Sequence, residues 1–136
     1  MRYPMLVSAV LLAAAFSAGA ARAGDIPQLS GATFAKSAAA CAGNTSENIE
    51  DSLVVEARGI FGYEFGCTFL DAYGISYDGE THQFVAPAQC SDDSGVFRPD
   101  AFSLVFNDEG RQLMLQSQNE YIEQADFVSG DYVRCD

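Results

Sequence analysis

The segment 63–70, Tyr-Glu-Phe-Gly-Cys-Thr-Phe-Leu, decides the fold class of this chain. Its odd positions, Tyr63, Phe65, Cys67 and Phe69, are aromatic or sulfur-containing, whereas its even positions are mostly polar or small. A period of two is typical of a β-strand with one face in the core, because successive side chains point to opposite faces. We therefore predict an amphipathic strand that directs these four residues inward.

The same alternation recurs along the chain and predicts further strands at 52–58, 83–90, 101–106, 112–115 and 131–135. Turns are predicted at 59–62, 78–79 and 107–110, where Gly or Asp-Gly suits tight backbone angles. Pro87 indicates an edge, a bulge or a strand end. Short links favour pairing between sequence neighbours. We predict a mainly β fold, a small antiparallel meander of about five or six strands that forms a curled sheet or partly closed barrel. A short helix near 33–40, or an irregular segment, precedes it.

Residues 1–23 have the layout of a secretory signal peptide, with Arg2 before an apolar run at 5–16 and small residues at Ala21 and Ala23. The apolar run is shorter than the roughly 20 residues needed to cross a bilayer as a helix. We expect cleavage after Ala23, with 18–20 as a second possible site, and a single domain over 24–136. The alanine-rich leader suggests export by a bacterial host, to the periplasm or the medium. No membrane span is predicted after cleavage.

The chain has four cysteines, Cys41, Cys67, Cys90 and Cys135. An even number in an exported chain predicts two disulfides. Of the three possible connectivities we favour Cys41–Cys67 and Cys90–Cys135, since each pair closes a loop of moderate length. The absence of a Cys-x-x-Cys pair argues against a zinc site and against thioredoxin-like redox chemistry.

The sequence offers little for catalysis. His82 is the only histidine, and its place at a strand start predicts a solvated imidazole. The segment 74–78 lacks the final glycine of a nucleophile elbow, and the acidic turns near 92–95 and 108–110 lack the spacing of a calcium-binding EF-hand. We predict no enzyme, no metal and no cofactor. A small hydrolase that uses His82 or paired carboxylates remains an alternative.

Charge is the most distinctive property of the sequence. Nineteen acidic residues against seven basic ones give a net charge of −12, which excludes nucleic acid as a partner because phosphate would be repelled. The acidic excess favours a basic protein or peptide as partner, although it could also serve only solubility. Aromatic residues in predicted loops could anchor such a partner, and nearby acids could attract it. The candidate binding residues are Phe61, Asp71, Tyr73, Tyr77, Asp78, Glu80 and Phe97.

From these features we predict an exported, non-enzymatic binding or inhibitor-like module that engages a cationic partner. An alternative is a small β-barrel that carries an apolar ligand, because the inward faces are rich in phenylalanine. The hydrolase is a second alternative. The sequence makes no prediction about the oligomeric state.

Overall fold

The computed structural model describes residues 26–43, 49–77, 80–119 and 127–136; the predicted leader, 1–23, lies outside these ranges. The described chain contains a 3₁₀ turn, Pro27–Leu29, and two single-turn helices, α1 (Ala38–Cys41) and α2 (Ile49–Ser52). Its strands are β1 (Thr33–Ala35), β2 (Val54–Glu56), β3 (Gly59–Gly62), β4 (Phe65–Phe69), β5 (Tyr73–Tyr77), β6 (Glu80–Asp92), β7 (Phe97–Asn107), β8 (Gln112–Ser117) and β9 (Gly130–Cys135). No helix in these ranges is both long and apolar enough to cross a bilayer.

Eight of the strands close into an antiparallel barrel. The order is β4-β3-β2-β1-β9-β8-β7-β6, and the pairing of β4 with β6 closes the ring. The mainly β, antiparallel prediction is confirmed, but the strand number is larger than predicted. One reason is that β1 has only three residues, too few for a clear period, whereas β2 lies within the strand predicted at 52–58. The predicted turn at 59–62 is wrong, because these residues form β3 and the chain turns before Gly59.

The long strand β6 joins two environments. Its residues Ala88–Asp92 pair with β4, its first half pairs with β5, and β7 runs along its other side. Pro87 lies where β4 gives way to β5, and its carbonyl accepts a hydrogen bond from the Leu70 N–H. In an antiparallel strand the N–H and C=O of one residue point to the same side. The missing N–H of Pro87 therefore falls at this junction, where it interrupts no ladder.

The barrel interior is filled by its own side chains. Phe34, Phe84 and Phe106 meet edge to face, with ring centres 5.7 and 6.0 Å apart, a favourable geometry for aromatic pairs. Ile26 and Leu29 from the N-terminal turn join the same buried cluster. The predicted inward residues Phe65, Cys67 and Phe69 are all buried, whereas Tyr63 lies in the turn before β4 and is 37% exposed.

The two predicted disulfides are present, but the favoured pairing, Cys41–Cys67 with Cys90–Cys135, is wrong. Cys67 on β4 lies directly opposite Cys90 on β6, with Cα atoms 4.0 Å apart, and they form one disulfide. The other joins Cys41 in α1 to Cys135 at the end of β9. Loop length could not predict this arrangement, because ring closure alone sets β4 beside β6 in that register.

The short helix begins later than the sequence suggested. Residues Thr33–Ala35 form β1, which pairs with β2 on one side and β9 on the other. Helix α1 then follows Ser37, whose hydroxyl oxygen accepts a hydrogen bond from the Ala40 N–H. This is an ordinary N-cap, which fixes where the helix starts. Residues 33–35 form β1 and not part of the predicted helix, because β1 joins β2 to β9 and so completes the ring.

Candidate functional site

One row of residues crosses five strands on the outer face of the barrel. Val54 on β2 lies opposite Phe61, Phe61 opposite Gly66, Gly66 opposite Ser91, and Ser91 opposite Phe97 on β7. Neighbouring strands lie about 4.8 Å apart. The two phenylalanines are therefore three strand spacings apart, with only small residues between them, and this arrangement forms a groove.

We call this surface the aromatic groove. It has a volume of about 270 Å³, with Phe61 and Phe97 as its walls. Its other lining residues are small, hydroxylated, amidic or aliphatic: Gly66, Thr68, Leu70, Gln89 and Ser91. On the other side of Phe61 lies a second depression of about 240 Å³, which Val54 and Tyr63 help to line. Phe61 therefore forms a ridge between two concave surfaces.

The apolar side chains around the aromatic groove are unusually exposed. Phe97 is 65% exposed, Val96 54% and Leu70 52%. Single exposed apolar residues are common, whereas several that lie around one concavity make it a candidate binding surface. The outward direction of Leu70 follows from the strand period, because the preceding residue, Phe69, points into the core.

The Phe61 wall of the groove is held in place by its own chain. A Cβ atom at Gly66 would lie 3.3 Å from Cδ1 of Phe61, so the ring packs closely over that glycine. The guanidinium carbon of Arg58 lies 5.2 Å from the centre of the same ring, within the range of a cation–π contact. A wall that is already ordered costs less conformational entropy when a partner binds.

An acidic residue follows the groove residue Ser91 in the chain. The Asp92 carboxylate, next to Ser91, accepts hydrogen bonds from the Ser94 hydroxyl and from the Ser94 N–H, the latter at 2.9 Å. These bonds, the hydroxyl first, hold the pKa of Asp92 below its usual value, with a smaller contribution from the charge of Arg98. Asp92 is therefore ionised at neutral pH, and Asp93 beside it is exposed.

The candidate residues from the sequence fall into two groups. Phe61 and Phe97 meet across the aromatic groove, although both lie on strands and not in loops. Asp71 and Tyr73 follow Leu70 at the start of β5, where the Asp71 carboxylate, by hydrogen bond and then by charge, raises the pKa of the exposed Tyr73.

The remaining candidates lie elsewhere or are not described. Tyr77 and Glu80 pair at the opposite end of β6 from Ser91, and Asp78 lies outside the described residues.

Sequence reasoning missed several groove residues. Gly66 and Ser91 are ordinary in the sequence, and only the register of four strands brings them between Phe61 and Phe97. Leu70 carried a usable signal, because it is the one large apolar residue in the polar phase of the segment 63–70. An apolar residue in that phase predicts exposure on the outer face, where a partner can reach it.

His82 lies in a separate depression. This concavity of about 320 Å³ sits beside the turn between β7 and β8, and it brings His82 near Asn107, Asp108 and Glu109. Its lining contains no serine, threonine or cysteine that could act as a nucleophile. The described ranges also hold no cluster of three or more residues suited to a metal ion.

Comparisons with protein-family models, with curated proteins and with solved structures find no match to this chain. The chemistry of its own surface is therefore the basis for a functional assignment. Of the surfaces described above, the aromatic groove combines exposed apolar side chains with an aromatic wall that packs against its own chain.

Proposed function

We propose that this chain is an exported, non-enzymatic binding module whose aromatic groove receives a side chain from a cationic protein or peptide. The observation that carries the proposal is the outer row in which Phe61 and Phe97 face each other across Gly66 and Ser91. Aromatic residues around a pocket contribute most of the binding energy at protein interfaces. The two disulfides of the described chain are compatible with export to an oxidising compartment.

The size of the aromatic groove favours an inserted side chain. Its volume of about 270 Å³ is below the range of roughly 300–1,000 Å³ that is typical of small-molecule pockets. An aliphatic or aromatic side chain between Phe61 and Phe97 would bury apolar surface on both sides. Its backbone could then meet the polar groups of Thr68, Gln89 and Ser91 on the floor.

Charge selects the class of partner. The chain has 19 acidic and seven basic residues, and the cations of the described ranges already lie beside groups of their own chain. Lys36 pairs with Glu50, and Arg111 and Arg134 both approach Asp136.

Arg58 covers the Phe61 ring, and Arg98 lies close enough to Asp92 to lower its pKa. The excess carboxylates are left to attract an external cation, which speeds association and favours basic partners.

The carrier alternative finds less support in the interior. Small barrels do carry ligands in their lumen, and the present fold belongs to that general architecture. An internal chamber, however, would leave accessible area on the side chains around it, and Phe34, Leu104 and Leu115 are at most 1% exposed. An apolar ligand would therefore have to bind in the external groove and not in the lumen.

The test is a selection from a random peptide library displayed on phage, with the oxidised protein immobilised. We expect enriched peptides to combine lysine or arginine with one large apolar residue. Their affinity, measured by calorimetry, should fall at least about tenfold between 50 and 500 mM salt, because the attraction between charges is screened. It should also fall at least about tenfold in Phe97→Ser, which removes one groove wall.

Met114→Ser is the matched control. Met114 is 48% exposed and lies on β8, away from the aromatic groove, so peptide affinity should be unchanged. Selected peptides without basic residues, or with equal affinity for Phe97→Ser, would contradict the proposal. Salt-independent binding of a fluorescent fatty acid that Phe97→Ser abolishes would support the carrier instead.

A further inference from the structure

The strand β5 has one paired edge. Its residues Tyr73–Tyr77 pair with β6, and within the described ranges no other strand pairs with β5, which ends the sheet order. The outer edge therefore presents backbone N–H and C=O groups of the kind that bind another strand. This edge lies on the first half of β6, whereas the aromatic groove lies over the second half.

The residues of β5 itself give this edge none of the usual protection. Natural proteins blunt exposed edges with charged residues, with proline or by covering them, but Tyr-Gly-Ile-Ser-Tyr at 73–77 contains neither a charge nor a proline. Tyr73 is 58% exposed and Ile75 36%. The only irregularity is a register shift between Ile75 and Ser76 in the pairing with β6. Such an edge is suited to pairing with a strand of another molecule.

The sequence of β5 suits β5 of a second copy as the partner strand, because its residues read almost alike in both directions from Ile75. In an antiparallel pairing of two copies centred there, Ile75 meets Ile75, Tyr73 meets Tyr77, and Gly74 meets Ser76. Aromatic and β-branched cross-strand pairs stabilise antiparallel sheets, and like charges directly opposite destabilise them. The five pairs include aromatic Tyr73–Tyr77 pairs and the β-branched Ile75–Ile75 pair, and in none of them do like charges lie opposite each other.

We propose that two copies of this chain associate through β5, edge to edge and antiparallel, in a twofold dimer whose axis passes by Ile75. The dimer does not depend on the aromatic groove or on its partner. Its salt dependence also has the opposite sign. Each copy carries a net charge of −12, so salt screens the repulsion between copies and strengthens the dimer, whereas it weakens the binding of a cationic peptide.

The experiment is sedimentation equilibrium of the oxidised protein over a range of concentrations and salt. We expect a monomer–dimer equilibrium that shifts toward dimer as salt rises. Ile75→Lys and Ile75→Glu each place like charges opposite each other and should weaken the dimer at least about tenfold. An equimolar mixture of the two should recover a heterodimer, detected by native mass spectrometry, because opposite charges then meet.

Met114→Lys and Met114→Glu make the same charge changes on the outer face of β8, where Met114 is 48% exposed, and should leave the wild-type equilibrium unchanged. A wild-type protein that stays monomeric up to about 1 mM overturns the proposal. So does a dimer that tolerates Ile75→Lys, and so does a dimer that Phe97→Ser abolishes instead, because the copies would then meet at the groove.

Hydrogen exchange on the wild type keeps the test independent of the variants. Amides of 73–77 should exchange more slowly as the protein concentration rises, since pairing between copies protects them. Amides of Leu113–Leu115 on β8 should not change with concentration. Exchange at 73–77 that is independent of concentration would overturn the proposal, even if the Ile75 variants failed to fold.

Discussion

Both halves of β6 pair with antiparallel strands, but their surroundings differ. Residues Ala88–Asp92 lie inside the closed ring, between β4 and β7, and Cys90 is bonded to Cys67 across the closing pair. The first half lies between β7 and β5, and β5 has no second strand beside it in the described chain. The same strand thus contributes to a sealed barrel at one end and to an open edge at the other.

The comparison shows that strand pairing alone does not immobilise a sheet. In the closed half a residue such as Cys90 has a strand on each side, a fully buried side chain and a covalent bond to β4. On β5, Tyr73 and Ile75 have one neighbouring strand and exposed side chains. Closure and burial, more than β propensity, should therefore set local stability.

The largest effect is predicted for Gly59→Ala in the closed half. Gly59 has φ of +154°, and a Cβ atom there would lie 1.8 Å from the Cys67 carbonyl oxygen, so β3 and β4 would have to separate. We expect a loss of about 4 kcal/mol in the free energy of unfolding, measured with urea. Gly95→Ala is the control, at φ of +74° with open space around it, and should cost about 1 kcal/mol. Equal losses would mean that the contact with β4 is not the cause.

The second prediction removes the covalent bond across the closing pair. Replacing Cys67 and Cys90 together by alanine should lower the free energy of unfolding by about 3 kcal/mol, because the unfolded chain regains the freedom of that loop. Hydrogen exchange should quicken at Phe65–Phe69 more than at β5. Removal of the Cys41–Cys135 disulfide, which spans 94 residues, is the comparison; it should lower the free energy of unfolding at least as much, but it should not quicken exchange at β4 more than in the rest of the ring. If both variants quicken hydrogen exchange at β4 to the same extent, the position of the disulfide does not determine the local stability of β4.

The third prediction concerns pH and a tyrosine in the ring. Tyr132 is 1% exposed and donates a hydrogen bond to the Val128 carbonyl oxygen at 2.6 Å. Burial first, and the Glu50 carboxylate second, raise its pKa well above the usual value. The folded state therefore keeps this proton while the unfolded state releases it above about pH 10. Stability should be unaffected by this group below pH 10 and should fall above it by up to about 1.4 kcal/mol per pH unit.

Tyr132→Phe tests that assignment. The variant should lose about 1 kcal/mol at neutral pH with its hydrogen bond, and the decline of stability above pH 10 should become shallower. Tyr73→Phe on the edge strand is the comparison. The pKa of Tyr73 is raised as well, by Asp71. Because water screens an exposed group, Tyr73→Phe should leave the decline of stability above pH 10 nearly unchanged. A decline that persists unchanged in Tyr132→Phe would point to another titrating group.

The smallest effect is predicted on the edge itself. Ile75→Val should change the free energy of unfolding by less than about 0.5 kcal/mol in dilute solution, where the protein is monomeric. Ile60→Val makes the same change at a fully buried position of β3 and should cost about 1 kcal/mol. Urea titrations of the two variants compare edge and ring by identical chemistry. A larger loss at Ile75 would show that β5 is packed more firmly than its exposure suggests.

Some features of the fold could be predicted from short-range pattern. The alternation at 63–70 predicted β4 and the burial of Phe65, Cys67 and Phe69, because a strand's two faces repeat within a few residues. The predicted start of β4 was less accurate, since Glu64 takes a φ of +50° in the turn, and a glutamate side chain does not indicate this conformation. The three-residue strand β1 is too short to show a period, and its pairing with β2 and β9 holds it in the ring.

The candidate site divides in the same way. Phe61 and Phe97 were found as aromatic residues near acids, but they were assigned to loops, and their partners Gly66 and Ser91 were not found. The groove depends on which residues of β3, β4, β6 and β7 stand side by side. A slip of one residue in any pairing would turn one of these side chains into the core.

The amino-acid sequence by itself determined that the chain is acidic, that its strands alternate and that its cysteines can form two bridges, since composition and period are local properties. Tertiary structure alone decided that Cys67 joins Cys90, that Phe61 faces Phe97, and that β5 is left at an edge. These facts depend on how distant strands meet when the ring closes. Register is fixed by the packing of the whole interior, so no single segment contains it.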